Sequence, residues 1–328
     1  MPSFNKNATG NEVVAAFASS LVGKTILITG PSSGSMGAET ALSLATGNPS
    51  TILLIGRTSS KVLPVLSKIS ALNPFITTKF ITCDLASQAS IRTAAAEINS
   101  AVSKIDYVFN TAGVMAVPTY QTSQEGIEMQ FASNHVGHFL LTNLIMPRIL
   151  EAGGGSRIVN VSSTGFEMGG EILRTLILMH ALPPPNFGGK TYDCWVAYAQ
   201  SKTANVLFAA ALADKLKSKG IQSFALQPGV VMESNLSAHL TPEIWGTVMK
   251  VLEASTGGDP TKMETPKTLQ EGCATSLVAA LDLSIADQSG SFLQDCAVRP
   301  VMQDYAQGKE NIDELWALSE KLVGEKFA

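Results

Sequence analysis

Short runs of β-branched and other apolar residues recur along this 328-residue chain, each followed by a longer stretch with helical spacing. The strong runs are KTILIT, STILLIG, TTKFITC, IDYVFN, SRIVNVSS and IQSFALQP, and a weaker one is GSFLQDC near the C-terminus. A strand with one wet face alternates apolar and polar residues, whereas a near-continuous apolar strand has both faces covered, as in a parallel sheet. The intervening segments, such as QASIRTAAAEINSAVSK and AYAQSKTANVLFAAALADKLKSK, have helical spacing and end in lysine. Repeated βαβ units of this kind predict an α/β fold, a doubly wound parallel sheet with helices on both faces. No linker, low-complexity tract or short-period repeat divides the chain, so a single domain over residues 1–328 is expected.

Two segments break the rhythm, at about 165–195 and 232–260. Both begin after the C-terminal ends of strands, where open α/β sheets bind ligands, and long connections there often serve as lids or substrate loops. Surface decoration is the plainer alternative. The segments offer Ile172, Leu176, Met179, Phe187, Trp195, Leu236, Trp245 and Met249 with few charges, which suits an apolar substrate of medium size but also an ordinary core. A formal charge of -4 without any basic run argues against nucleic acid or an anionic membrane as partner and favours small molecules. Cys83, Cys194, Cys273 and Cys296 lie far apart with no CxxC pair, so no metal site or disulfide framework is indicated and free thiols in a reducing compartment fit best. The N-terminus does not read as a signal peptide, and no stretch approaches the ~18 apolar residues of a membrane span. A cytoplasmic protein is expected, with homo-oligomerisation left open.

Chemistry enters at ITGPSSGSMG, residues 28–37, between the first strand and a helix. A Gly-rich turn there leaves backbone N–H groups aimed at the helix N-terminus, where a pyrophosphate can dock. The glycines fall at 30, 34 and 37, which does not match G-x-G-x-x-G, and an ordinary βα turn would look much the same. In YAQSK, Tyr198 and Lys202 are four apart on a helical segment and share one face. An adjacent ammonium favours the ionised phenol and would lower a pKa that is ordinarily ~10, allowing proton exchange near neutrality.

At this point the chain resembles the short-chain dehydrogenase/reductase family, and more closely its retinol-dehydrogenase-like branch and fungal relatives. The motifs stand in the expected order: ITGPSSGSMGAETA, CDL, NTAG, NHVGHFLLTNLI, RIVNVSS, YAQSKTAN, QPGVV and ELWALSEKLVG. The resemblance implies a Rossmann-type sheet with a nicotinamide cofactor. It makes Tyr198 the proton donor and acceptor. Lys202 would lower the tyrosine pKa and hold the nicotinamide ribose. Ser163 would hydrogen-bond the substrate oxygen, and Asn134 would support a proton relay through water and Lys202. Gly30, Ser32, Ser33, Gly34, Ser35, Met36 and Gly37 would form the phosphate loop, one residue wider than usual somewhere within 31–35. Asp84 and Leu85 would contact adenine, Asn110, Ala112 and Gly113 would line the adenosine side, and Pro228, Gly229 and Val231 would complete the cofactor site. Trp195 and Met232 would join Ser163 and Tyr198 around the substrate.

NAD enzymes usually place an acid after the second strand to bind the ribose 2′-hydroxyl, whereas an Arg accommodates a 2′-phosphate. Here LLIGRTSSK puts Arg57 in that place, so NADP is the expected cofactor and no metal is implied. The expected activity is NADPH-dependent reduction of a ketone or aldehyde, reversible as alcohol oxidation. The rivals are epimerisation or dehydration without net redox, and a non-catalytic cofactor-binding regulator. Three departures stand out: Thr111 in NTAG, Gln227 in QPG, and Glu233 where the family usually has threonine beside the cofactor.

Overall fold

The computed structural model describes residues 3–169, 192–238, 240–241, 246 and 264–327. Its centre is an eight-stranded sheet in the order β3-β2-β1-β4-β5-β6-β7-β8. The strands are β1 (Thr25–Thr29), β2 (Thr51–Gly56), β3 (Thr77–Thr82), β4 (Tyr107–Asn110), β5 (Arg157–Val161), β6 (Gln222–Leu226), β7 (Phe292–Gln294) and β8 (Ala297–Arg299). The first seven are parallel and β8 runs antiparallel to β7. All seven expected strands form, the weak GSFLQDC included. The eighth closes a hairpin through Asp295 and Cys296, both at positive φ.

Helices flank both faces, as expected: α1 (Gly10–Leu21), α2 (Met36–Ala45), α3 (Ser59–Leu72), α4 (Gln88–Ala101), α5 (Gly137–Leu144), α6 (Met146–Ala152), α7 (Cys194–Leu216), α8 (Leu269–Leu281) and α9 (Lys309–Val323). The side-chain period of two along each strand explains the apolar runs. Ile26 and Ile28 of β1 pack with α1, α2 and α8, while Leu27 between them packs on the other face with α4, α5 and α7. Thr9 and Glu12 cap α1 reciprocally, and Thr268 and Glu271 do the same for α8. Strand order reverses between β1 and β4, whose C-terminal ends therefore open a crevice between diverging crossovers.

Candidate active site

A cavity of about 840 Å³ occupies that crevice. The turn after β1 forms one wall. Gly30 and Gly34 have φ of 70° and 77°, where a side chain would be strained. A Cβ on Gly37 would lie 2.7 Å from the Gly30 carbonyl oxygen, so only glycine lets α2 start this close to the strand end. Ser35 caps α2 by accepting from the Ala38 amide and donates to the Gly30 carbonyl. The wider part of the loop is a turn closed by the Ser35 amide on the Ser32 carbonyl. Its outer carbonyls are taken by Asn235: Nδ2 donates to the Ser33 carbonyl at 2.7 Å and the Asn235 amide to the Gly34 carbonyl at 3.2 Å. Gly34 thus packs on Asn235, while Gly30, Ser32, Ser33, Ser35, Met36 and Gly37 border the cavity.

Arg57 follows β2 and is exposed at the cavity edge beside Lys61, whose carbonyl accepts from the Ser33 amide. Asp84 and Leu85, after β3, also line it. Gly137 is obligatory here, because a Cβ would overlap the Leu85 carbonyl. After β4, Ala112 and Gly113 line the cavity but Asn110 does not. The Asn110 side chain is buried in the sheet and donates to Asn160 and Thr142, holding β4 to β5. Gly113 lies beside Lys202, since a Cβ on it would be 3.5 Å from Lys202 Nζ.

At that end β5 delivers Ser163 and α7 delivers Tyr198 and Lys202, one helical turn apart. Asp193 starts α7 by accepting from the Trp195 and Val196 amides. Ser162 Oγ donates to the Lys202 carbonyl at 2.7 Å, fixing the strand end against the helix. Ser163 Oγ accepts from the Gly165 amide and is hydrogen-bonded to Tyr198. Gly165 lies against the tyrosine ring, with room for a Cβ only 3.1 Å from Cε1. Lys202 Nζ donates to the Val161 carbonyl at 3.0 Å and sits 5.6 Å from the centre of the Tyr198 ring. Trp195 stands edge-on to that ring, and Met232 is exposed at the cavity mouth.

The electrostatics correct one expectation. Tyr198 is not depressed: burial raises its phenol to about 12, against the smaller effect of the Ser163 hydrogen bond. Burial also pulls Lys202 down to about 8. Removing both groups from water disfavours their charged forms.

Asn134 does not border the cavity. It lies in a π-helical turn, Ala132–Val136, fully buried, and accepts from the Val114 amide while donating to the Val114 carbonyl and to Ser201 Oγ. Pro228, Gly229 and Val231 line the cavity after β6. Glu233 does not: its carboxylate turns to the Leu269 amide at the start of α8, so it brings no charge to the crevice. Gln227 donates to Glu264, whose carboxyl is raised by burial. Among the described residues no acidic, histidine and cysteine cluster could hold a metal, and no helix is long and apolar enough to cross a membrane. Ile172, Leu176, Met179, Phe187, Trp245 and Met249 lie outside the described residues.

Residues 24–173 match the family model of the short chain dehydrogenases. Human retinol dehydrogenase 13 is 35% identical over 306 residues, covering 92% of this chain and 85% of that protein. Oxidoreductase fscI of Fusarium equiseti is 33% identical over 243 residues, 69% of this chain and 94% of that one. The NADPH-bound carbonyl reductase from chicken fatty liver shares the fold, with a TM-score of 0.58 at 20% identity over 83% of this chain and 96% of that one. A Salmonella enterica short chain dehydrogenase gives 0.60 at 20% identity, covering 89% and 98%. Fold, motif order and relatives agree: the chain belongs to the short-chain dehydrogenase/reductase family of oxidoreductases, which bind nicotinamide cofactors, and within it to the retinol-dehydrogenase-like branch.

Proposed function

We propose that this protein uses NADPH to reduce a ketone or aldehyde of a medium-sized, largely apolar molecule, and oxidises the alcohol in reverse. One observation carries the reading: a single cavity is bordered at one end by the glycine-rich helix start and Arg57, and at the other by Ser163, Tyr198 and Lys202. The residues fit a dinucleotide. Gly37 lets α2 start hard against the end of β1, and Gly30, Ser35, Met36 and Gly37 put that helix start at the cavity wall, where a pyrophosphate could dock. When bound, NADPH supplies the hydride.

The protein's own groups supply position and the proton. Ser163 Oγ accepts from the Gly165 amide on one lone pair and shares a hydrogen bond with Tyr198, so a substrate oxygen entering between them would take the serine proton in place of the tyrosine. Tyr198, held near 12, carries its proton at neutral pH, the form a reductase needs. Lys202 commits one N–H to Val161 and keeps two for ribose hydroxyls. Its ammonium also faces the negative charge that Tyr198 acquires as the proton leaves. Trp195, Met232, Leu236 and Leu240 give the substrate end an apolar lining, and relatives named for retinol, an apolar alcohol, support that substrate class. The segment after Val231 is the proposed substrate loop, anchored to the phosphate loop by Asn235.

Cofactor choice is tested at Arg57. The 2′-phosphate of NADPH can take paired, charge-assisted hydrogen bonds from the guanidinium, whereas the NADH ribose offers a neutral hydroxyl. Such bonds contribute about 1.5 to 3 kcal/mol, so Arg57→Ala should weaken NADPH binding by roughly 10- to 150-fold and barely change NADH. Arg57→Asp should tip preference to NADH, since the acid repels phosphate and accepts from ribose. Titration of both cofactors into the three proteins decides this. Equal wild-type affinities, or a ratio unmoved by substitution, would refute the assignment.

A further inference from the structure

The loop Thr111–Val114, which lines the crevice and ends beside Lys202, is gripped at two points. At its start, Thr29 Oγ accepts from the Thr111 and Ala112 amides at 2.9 and 3.0 Å. At its end, the Asn134 side chain holds both the amide and the carbonyl of Val114. One imidazole joins the two grips: His138 Nδ1 is 2.9 Å from the Asn134 carbonyl, and Nε2 is 2.9 Å from Thr29 Oγ.

The partners assign the hydrogens. A carbonyl only accepts, so Nδ1 carries the proton. Burial pulls the imidazole down to about 4, so it is neutral at working pH and Nε2 is an acceptor. Thr29 therefore donates to Nε2, which is closer than the Phe109 carbonyl at 3.4 Å. With two amides received and one proton given, the threonine hydroxyl is saturated. His138 itself lies outside the cavity wall and is 1% exposed.

We propose that His138 is a positioning residue for the reaction: as the neutral Nδ1–H tautomer it locks Thr29 to Asn134 and so fixes loop Thr111–Val114 against Lys202. This rests on the reading of the crevice as a dinucleotide site. A loop that drifts by a fraction of an ångström beside Lys202 should slow turnover more than it weakens cofactor binding, because the phosphate and adenine contacts lie elsewhere in the crevice.

Three variants separate the contacts. Asparagine places an amide nitrogen where Nδ1 stood and keeps only the Asn134 contact, glutamine places an oxygen near Nε2 and keeps only Thr29, and phenylalanine keeps the bulk and neither. His138→Asn and His138→Gln should each lower kcat by roughly 10- to 100-fold with NADPH affinity little changed. Thr29→Val, which also leaves the Thr111 and Ala112 amides without their acceptor, should be at least as slow as His138→Asn; Thr29→Ser should restore near-wild-type kcat, and the Thr29→Val/His138→Asn double variant should be no slower than Thr29→Val alone. Additive losses, or a kcat in His138→Phe that equals wild type, would overturn the proposal. So would nitrogen-15 spectra of the wild-type imidazole showing the proton on Nε2, or titration of the ring across the physiological range. Wild-type titration with NADPH and NADH is run first. If neither binds, the dinucleotide reading fails on its own account, and the proposed tautomer is then judged by the spectra and the lock by the same cycle read as melting temperatures.

Discussion

Tyr198→Phe is expected to bind NADPH as wild type does and to turn over about 10²- to 10⁴-fold more slowly, the usual loss when a general acid is removed. The ring is buried between Gly165 and the helix, and phenylalanine fills the same space. Only the hydroxyl is lost, and with it the hydrogen bond to Ser163 and the proton destined for the substrate oxygen. Cofactor titration and steady-state kinetics on the same preparation separate the two effects. A folded variant with near-normal kcat would exclude Tyr198 as the donor.

Lys202→Ala should lose turnover on a similar scale and also bind NADPH more weakly, since in the proposed mechanism this ammonium would serve both the ribose and the tyrosine. An unchanged kcat with weaker binding would leave Lys202 as a cofactor ligand only. The pH dependence carries a sign. Burial holds Lys202 at about 8, so the charged form predominates below that pH and is lost as pH rises through it. With Tyr198 near 12, the proton donor stays protonated throughout that window. The kcat/KM for NADPH should therefore be level below pH about 8 and fall above it, because this parameter reports the free enzyme. A rise across the same interval would contradict the assignment to Lys202.

The sheet was legible because its central strands, β1, β2, β4, β5 and β6, are buried on both faces and helices covering both faces leave near-continuous runs, whereas the edge strand β3 is largely half-exposed. β8 was not legible, because it is three residues long and its turn puts Cys296 at positive φ, which turn chemistry would not suggest. The grouping of Ser163, Tyr198 and Lys202 at one cavity was legible because Tyr198 and Lys202 are local neighbours on α7 and Ser163 sits in a recognisable strand end. What could not be read were contacts between distant segments. Asn235 holds a loop some two hundred residues earlier in the chain. Glu233, which looked misplaced next to a cofactor, turns to the amide of Leu269. Asn110, in a motif that suggested the adenosine side, spends its donors on Asn160 and Thr142. The pKa directions were likewise hidden, since i, i+4 spacing shows that a lysine is near a tyrosine but not that both have been taken out of water. The residues in 165–195 and 232–260 that suggested an apolar substrate mostly lie outside the described residues, so that inference rests on Trp195, Met232, Leu236 and Leu240.

The central claim is net hydride transfer from NADPH to a carbonyl, and the loss of nicotinamide absorbance measures it. Purified protein is mixed with NADPH or NADH and a panel of apolar ketones and aldehydes, with Tyr198→Phe as the control. The expected result is stoichiometric NADPH consumption with at least one carbonyl compound, slower consumption of NADH, and almost none in Tyr198→Phe. Conversion of a substrate with no net loss of NADPH would contradict the claim and point to epimerisation or dehydration at the same tyrosine, and a wild-type rate equalled by Tyr198→Phe would contradict the mechanism.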